Sequence, residues 1–197
     1  MAKALSDIRM TVAEFVRWHD GTDRRHELVD GRPVAMSPPS GRHAVSCRSI
    51  FRALDRRLTR PCGAMFGAGV ALSVDEKECR EPDVFVTCEP TPEHIFLNAR
   101  VVVEVLSPST ERDDRTVRLD FYQTLPAVEA VLLVWQDKRR VQLYVRDDSG
   151  WPGLDYTGLG IVPLAGLGIE LPLDEVYAGV EFPPPTPPRK RRTARRG

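Results

Sequence analysis

A single glutamate interrupts a strongly apolar run near the middle of the chain. Glu104 lies within residues 100–107, RVVVEVLS, which are otherwise rich in Val and Leu and predict a buried central strand. An isolated ionised carboxylate is costly to bury, so it must be compensated by a cation, a metal ion or a raised pKa. An ion pair with one of the chain's many arginines is the structural alternative, and a catalytic metal site is the functional one.

A second carboxylate precedes another apolar run. Glu81-Pro82-Asp83 leads directly into Val84-Phe85-Val86. Because proline is tolerated at the start of a strand, Asp83 is predicted at the mouth of a strand, where a neighbouring strand's carboxylate can join it. Two carboxylates on adjacent strands suit Mg²⁺, a hard cation that prefers oxygen ligands and retains water. Pro-Asp alone is a common turn signal, so this hypothesis depends on Asp83 and Glu104 together.

The segment after Glu104 predicts a helix from about Asp113 to Leu125. Residues at steps of four form one stripe along it: Asp114, Arg118 and Tyr122. The stripe expected to pack against the protein consists of Val117, Phe121 and Leu125. Arg118 either pairs with Asp114 at an exposed surface or places a cation where it can reach a phosphate near the two carboxylates.

The other elements predict an α/β (α+β) domain in which helices flank a mixed sheet. Asp30-Gly31 between two short strand-like runs indicates a hairpin. A short helix is predicted over residues 11–19, and Ser40 is expected to cap a long helix that extends to about Arg60. The long helix has an apolar stripe: Ala44, Cys47, Phe51, Leu54 and Leu58. Strands are predicted over residues 65–74, 84–87, 101–106, 130–136 and 141–146.

Length and charge divide the chain into a domain and a tail. The 197 residues contain 28 basic and 28 acidic side chains, which is typical of one globular domain. Residues 183–197 are rich in Pro and Arg and contain no acidic residue, so residues 1–182 carry a formal charge of −6 and the tail +6. We expect a disordered arm that attracts nucleic-acid phosphate, or simply a solvated tail. Its basic residues are Arg189, Lys190, Arg191, Arg192, Arg195 and Arg196.

Apolar runs and cysteine spacing bear on the expected cellular location and on whether a structural zinc site is expected. Apolar runs are far shorter than the ~18 residues of a membrane span, and residues 1–10 contain Asp7 and Arg9 but no apolar signal region. A cytoplasmic protein with no membrane partner is therefore expected. The four cysteines form no C-x-x-C pair, which disfavours a structural zinc site and favours reduced thiols.

The order of these motifs resembles a known family. HELVDG (26–31), SPPSGRH (37–43), EPDVFV (81–86), VVVEVLSPST (101–110), DDRTVRLDFY (113–122) and AVEAVLLVW (127–135) follow one another as in the Uma-two family of restriction-endonuclease-like proteins, which belongs to the PD-(D/E)XK nuclease superfamily. The resemblance spans about residues 11–175. It implies a nuclease core in which Asp83 and Glu104 bind a divalent metal ion, with the backbone carbonyl of Val105.

The same resemblance gives meaning to two residues that no local pattern singles out. Glu27 and His43 match positions near the family's site, where they would orient a water molecule or hold a second metal ion. The chain departs from the superfamily pattern at Leu106, where E-x-K would have its lysine, and at Arg118, where family members commonly place that lysine instead. Arginine can stabilise phosphate charge, but it cannot accept a proton, because its pKa is above ~12.

Two functions follow as hypotheses. The first is an endonuclease that uses Mg²⁺, or Mn²⁺, to activate water against a phosphodiester of nucleic acid, with DNA expected as the substrate. The second is a catalytically impaired nuclease-fold protein that binds nucleic acid or another protein. Because an acidic body is unusual on DNA, a homodimer or partner is expected to supply further positive surface.

Overall fold

The computed structural model describes residues 9–107 and 114–182, and side chains from 116 onward in the second range. The basic tail, with all six of its predicted nucleic-acid contacts, lies outside these ranges, so the division into domain and tail stays a prediction. Among the described residues, no helix is long and apolar enough to cross a bilayer.

The described part of the chain forms twelve strands and four α-helices. The strands are β1 (His26–Val29), β2 (Arg32–Ala35), β3 (Gly63–Met65), β4 (Val70–Ala71), β5 (Cys79–Arg80), β6 (Val84–Thr87), β7 (Ala99–Leu106), β8 (Ala130–Trp135), β9 (Arg140–Val145), β10 (Gly153–Thr157), β11 (Ile161–Leu164) and β12 (Ile169–Pro172). The helices are α1 (Val12–Phe15), α2 (Gly41–Asp55), α3 (Leu119–Thr124) and α4 (Leu173–Val176). A π-helical turn (Asp114–Arg118) precedes α3, and a 3₁₀ turn (Ala165–Leu167) precedes β12.

A six-stranded mixed sheet is the centre of the fold. Its strand order is β10-β9-β8-β7-β6-β3, in which β7 and β8 are parallel and the other neighbours are antiparallel. Because side chains alternate across a strand, Val84 and Val103 pack in one core with Ile50 of α2, whereas Phe85 and Val102 pack in a second core with α3. The predicted fold class, a mixed sheet flanked by helices, is confirmed.

A smaller sheet, β2-β1-β5-β4, lies beside the main one and connects to it through residues 81–83. The predicted hairpin is present: Asp30 and Gly31 have φ of 49° and 75°, the left-handed values that a tight two-residue turn requires. Strand β1 pairs with both β2 and β5, which fixes the buried Glu27 next to the chain that enters β6.

The long helix is capped as predicted, and its predicted stripe packs in or against the core at Cys47, Phe51, Leu54 and Leu58. The Ser40 hydroxyl accepts a hydrogen bond from the His43 backbone N–H at 3.2 Å, and the helix ends at Asp55. Its buried residues are Ser46, Ser49, Ile50, Ala53 and Leu54, whereas Ala44 of the predicted stripe is exposed. Ser49 can face the core because its hydroxyl donates to the carbonyl oxygens of Ser46 and Val176, at 2.9 and 2.5 Å.

The helix after Glu104 lies in the predicted region, and Phe121 and Leu125 pack as predicted, but Val117 does not. The π-helical turn inserts an extra residue before α3, which shifts the helical phase. Val117, predicted to pack, is therefore 54% exposed, while Leu119 is buried instead. Tyr122, within α3, and Leu125, directly after it, are fully buried.

The expectation of four reduced thiols is wrong for two of them. Cys62 and Cys88 form a disulfide, while Cys47 and Cys79 are free. Residues 62 and 88 flank the antiparallel pair of β3 and β6, in which Gly63 lies opposite Thr87, so the sheet register brings the two cysteines together. The sequence alone does not give this register, so it does not reveal which cysteines pair.

Candidate active site

The antiparallel register of β6 and β7 brings the two predicted metal ligands to one end of the sheet. Val84 lies opposite Val103, so Asp83, one residue before β6, adjoins Glu104 and Val105 of β7. The Val105 N–H donates to Asp83 Oδ2 at 2.7 Å. Since the N–H and C=O of one strand residue point to the same side, the Val105 carbonyl is also directed toward the Asp83 side.

Glu104 is buried and occupies the face of the sheet covered by α3. Only 4% of the residue is exposed, and its neighbours two positions away, Val102 and Leu106, belong to the core beneath that helix. Its Oε1 accepts hydrogen bonds from Arg118 at 3.1 Å and from the Tyr122 hydroxyl at 2.5 Å. Burial, with the nearby Glu104 charge, raises the pKa of Tyr122, so this hydroxyl remains a neutral donor.

Arg118 joins the two buried glutamates. One terminal nitrogen contacts Glu104, and the other donates to Glu27 Oε2 at 2.8 Å. The spacing of four between Arg118 and Tyr122 is what lets both side chains reach one carboxylate, as their shared stripe predicts. The ion pair between Glu104 and an arginine, which a purely structural role for Glu104 would require, is therefore present. Asp83 and His43 lie in the same cluster.

Glu27 is held by the segment that leads to Asp83. Its Oε1 accepts a hydrogen bond from the Glu81 N–H at 2.8 Å, and Arg80 lies 3.8 Å from its Oε2. Burial raises the pKa of Glu27, although Arg118 and Arg80 oppose that shift. Three carboxylates (Glu27, Asp83 and Glu104) thus face two guanidinium groups among the described residues of this cluster.

His43 reaches the same place from the first turn of α2. Its Nε2 lies 3.1 Å from Asp83 Oδ1, and its Nδ1 lies 3.4 Å from the Cys47 thiol. His43, Asp83 and Arg118 each keep about a fifth of the side chain exposed, whereas Glu27 and Glu104 lie beneath them. A ligand arriving from solvent therefore meets His43, Asp83 and Arg118 first.

All five predicted catalytic residues converge, and three further residues join them. Tyr122 was visible in the sequence as a member of the Arg118 stripe. Arg80 precedes the Glu81-Pro82-Asp83 segment and had no distinguishing pattern, while Cys47 follows His43 by one helical turn but was assigned only to a packing stripe.

A neighbouring cleft of about 460 Å³ adjoins the cluster without containing its carboxylates. Arg80 and Glu81 line one side of the cleft, and Phe15, His26 and Phe96 are among its other residues. Asp83, Glu104 and Arg118 do not line it, so the cleft and the carboxylate cluster are separate features that share the Arg80-Glu81 segment.

The raised pKa of Glu27 predicts a specific dependence of stability on pH. The ordinary pKa of this carboxyl, 4.5, applies in the unfolded chain, and its pKa in the folded protein is higher. As pH rises through the interval between these two values, the unfolded chain releases the proton first, so the free energy of unfolding falls. Replacing Glu27 with Gln removes this term, so the free energy of unfolding should fall less with rising pH than in the wild type. Urea unfolding between pH 4 and pH 8 measures the two slopes, and equal slopes would contradict the account.

Comparisons with known proteins identify the family and the fold of the chain. Residues 12–174 match the family model Uma2, described as "Putative restriction endonuclease". Two uncharacterized proteins of Synechocystis sp. are similar: slr1290 is 28% identical over 88% of this chain and 94% of its own length, and sll1609 is 25% identical over 72% and 84%.

The fold also matches a solved structure. The crystal structure of a "putative nuclease belonging to DUF820" from Anabaena variabilis superposes with a TM-score of 0.68 at 17% identity, covering 85% of this chain and 97% of that one. At this identity the match supports the fold. Together with the family model, which covers most of the sequence, it leads to one assignment: the chain belongs to the Uma2 family of restriction-endonuclease-like proteins.

Proposed function

We propose that this protein is a metal-dependent endonuclease that hydrolyses phosphodiester bonds of DNA, with Mg²⁺ or Mn²⁺ as its metal ion. The observation that best supports the proposal is the junction of Asp83 with Glu104 and Val105 at one end of β6 and β7, fixed by the 2.7 Å hydrogen bond between Asp83 and the Val105 N–H. An ion pair alone would not require Asp83 or His43 to be there.

The residues present fit a hard divalent cation. Asp83, Glu104 and the Val105 carbonyl offer only oxygen donors, which is the set that Mg²⁺ prefers. The three carboxylates of the described cluster would attract such a cation. Such a cation would polarise a phosphate oxygen and lower the pKa of a bound water molecule.

The surrounding side chains have separate roles in this proposal. Arg118 stays charged at any working pH and lies between the buried glutamates and solvent, so it is placed to stabilise a phosphate that approaches Asp83. Tyr122 and Arg118 orient Glu104 by hydrogen bonds. Glu27 and His43 lie on either side of the Asp83 segment, where they are suited to orient the attacking water.

A cleavage assay tests the proposal. Supercoiled plasmid incubated with the protein should be nicked or linearised with Mg²⁺ or Mn²⁺ and should remain intact with EDTA. Single-stranded DNA and RNA of matched sequence, tested in parallel, identify the nucleic-acid class. No product from any of these substrates with either metal ion would contradict the proposal.

The second candidate is a nucleic-acid-binding protein that has lost catalysis. Leu106 and Arg118 stand where related nucleases place their lysine, and both terminal nitrogens of Arg118 already bond to glutamates. This candidate predicts binding of the plasmid in EDTA and no product with either metal ion.

The basic tail gives a prediction that applies to both candidates. Deleting residues 183–197 removes six positive charges, so the log–log dependence of DNA affinity on salt should become shallower by roughly 0.9 for each phosphate that the tail neutralises in the full-length protein. Fluorescence anisotropy at several salt concentrations measures this slope. A tail of equal length with all six basic residues replaced by Gln should behave like the deletion, and an unchanged slope in both variants would exclude the arm.

Oligomeric state and location are further proposals. The acidic body, with formal charge −6, favours a homodimer in which the tail of each copy adds positive surface for DNA. Light scattering coupled to size-exclusion chromatography tests that state directly. We also propose a cytoplasmic location.

A further inference from the structure

Three potential metal ligands meet at the start of α2, and two of them, His43 and Cys47, have no place in the oxygen set assigned to Mg²⁺. His43 and Cys47 lie one turn apart on the helix, with Nδ1 and Sγ separated by 3.4 Å. Asp83 faces them from the entrance to β6, with Oδ1 3.1 Å from His43 Nε2. One ligand atom from each residue can be chosen so that all three lie within 4.8 Å of one another.

The donor types match a zinc site, and their separation of up to 4.8 Å is close enough for side-chain adjustment to bring them around one ion. Zn²⁺ binds thiolate, imidazole and carboxylate with bonds of about 2.0–2.3 Å, which places tetrahedral ligand atoms roughly 3.3–3.7 Å apart. Pairs of ligands four residues apart on one helical face are a recurrent way to hold this ion. Mg²⁺ does not use sulfur, so the thiol favours a borderline-soft transition metal.

We propose that His43, Cys47 and Asp83 form a Zn²⁺ site that shares Asp83 with the nuclease site. On binding, the Cys47 thiol releases its proton to solvent, one imidazole nitrogen coordinates the ion, and the hydrogen bond between His43 and Asp83 is replaced by coordination. A water molecule completes the tetrahedron, as in zinc sites with three protein ligands.

The surroundings already orient two of the three ligands. The Ser40 cap fixes the first turn of α2 at the backbone of His43, and the Val105 N–H holds Asp83 Oδ2 at 2.7 Å while leaving Oδ1 toward His43. Such outer contacts are typical of metal sites, because they set the direction of the ligand. The exposed fifth of His43 and of Asp83 gives an ion a route from solvent.

Sharing Asp83 has a regulatory consequence that rests on the proposed function. A carboxylate engaged by Zn²⁺ beside His43 is less able to serve with Glu104 and Val105. Zinc should therefore inhibit Mg²⁺-dependent cleavage, and the inhibition should depend on Cys47.

Cobalt absorption tests the site without any need for nuclease activity. Co²⁺ substitutes for Zn²⁺, and a cysteine ligand gives a thiolate-to-cobalt charge-transfer band in the near ultraviolet. The wild-type protein should show this band on Co²⁺ titration and lose it when Zn²⁺ is added. Cys47→Ser should abolish the band, whereas Cys79→Ser, which removes the other free thiol, should retain it.

Zinc affinity supplies the quantitative outcome. Calorimetric titration of Cys47→Ser should give binding more than about 100-fold weaker than wild type, beyond the loss typical of an outer-shell partner. Circular dichroism and urea unfolding confirm that the variant is folded. Absence of the band in the folded wild type, or a band that survives Cys47→Ser, would overturn the proposal. A protein with the Cys47-dependent band but no cleavage would retain the zinc site and lose the proposed function.

Discussion

Asp83→Asn should reduce Mg²⁺-dependent cleavage by about 10³-fold or more, the scale expected when several kcal/mol of metal-supplied charge stabilisation is lost. The substitution removes one negative charge from the proposed metal site. The asparagine carbonyl can still accept the hydrogen bond from the Val105 N–H, so the local backbone geometry should be kept. Initial rates of plasmid nicking for wild type and variant, at equal protein concentration, measure the loss.

A nearby aspartate provides the matched control for this substitution. Asp120 is exposed on α3 and takes no part in the cluster, so Asp120→Asn removes the same charge with the same change of side chain. Its cleavage rate should remain within a few-fold of wild type. An Asp83→Asn protein that cleaves at the wild-type rate and is still blocked by EDTA would exclude Asp83 as a metal ligand.

Arg118→Ala should lower the free energy of unfolding by about 3 kcal/mol near neutral pH, the lower end of the range for removing one partner of a buried ion pair. The reason is that Glu27 and Glu104 both lose the guanidinium that compensates their charge. The pKa of Glu27 should rise further in the variant, because Arg118 opposes that shift in the wild type. The deficit in stability should therefore be largest at pH 8 and should shrink toward pH 5, as the buried carboxylates become protonated.

Urea unfolding of a set of variants separates the buried pair from ordinary surface charge. Arg56 forms an ion pair with Glu175 with 59% of the Arg56 side chain exposed, so Arg56→Ala should cost about 1 kcal/mol or less at either pH. Adding Glu104→Gln to Arg118→Ala should restore part of the loss, because the double variant no longer buries that charge. If Arg118→Ala and Arg56→Ala lose equal stability with no dependence on pH, the buried carboxylates do not depend on Arg118.

The two acidic residues proposed as metal ligands could be singled out in the sequence because each violates the pattern around it. Glu104 is a charge within a run of Val and Leu, and Asp83 follows a proline at the start of an apolar run. Their adjacency required the antiparallel register of β6 and β7, which tertiary pairing sets and which neither segment encodes alone. Glu27 and His43 lack even this signal, since each lies among other polar residues, and only the resemblance to a family pointed to them.

The errors have equally specific causes. A regular period of 3.6 residues placed Val117 in the core, but the π-helical turn before α3 changes the phase. An apolar stripe placed Ala44 against the sheet, but Ala44 is exposed, and Ser46 and Ser49 are buried on the inner face of α2 instead. Cys47 of the same stripe packs against the core as predicted and also lies beside His43 and Asp83, which is the arrangement that the zinc proposal uses.

The most direct test of the nuclease site is an anomalous difference map from crystals soaked in Mn²⁺. The account predicts a peak about 2.1 Å from a carboxylate oxygen of Asp83 and from one of Glu104, with the Val105 carbonyl as a third ligand and Arg118 facing the ion. Absence of a peak at Asp83 and Glu104 in fully soaked crystals, with the Arg118 to Glu104 ion pair intact, would contradict it.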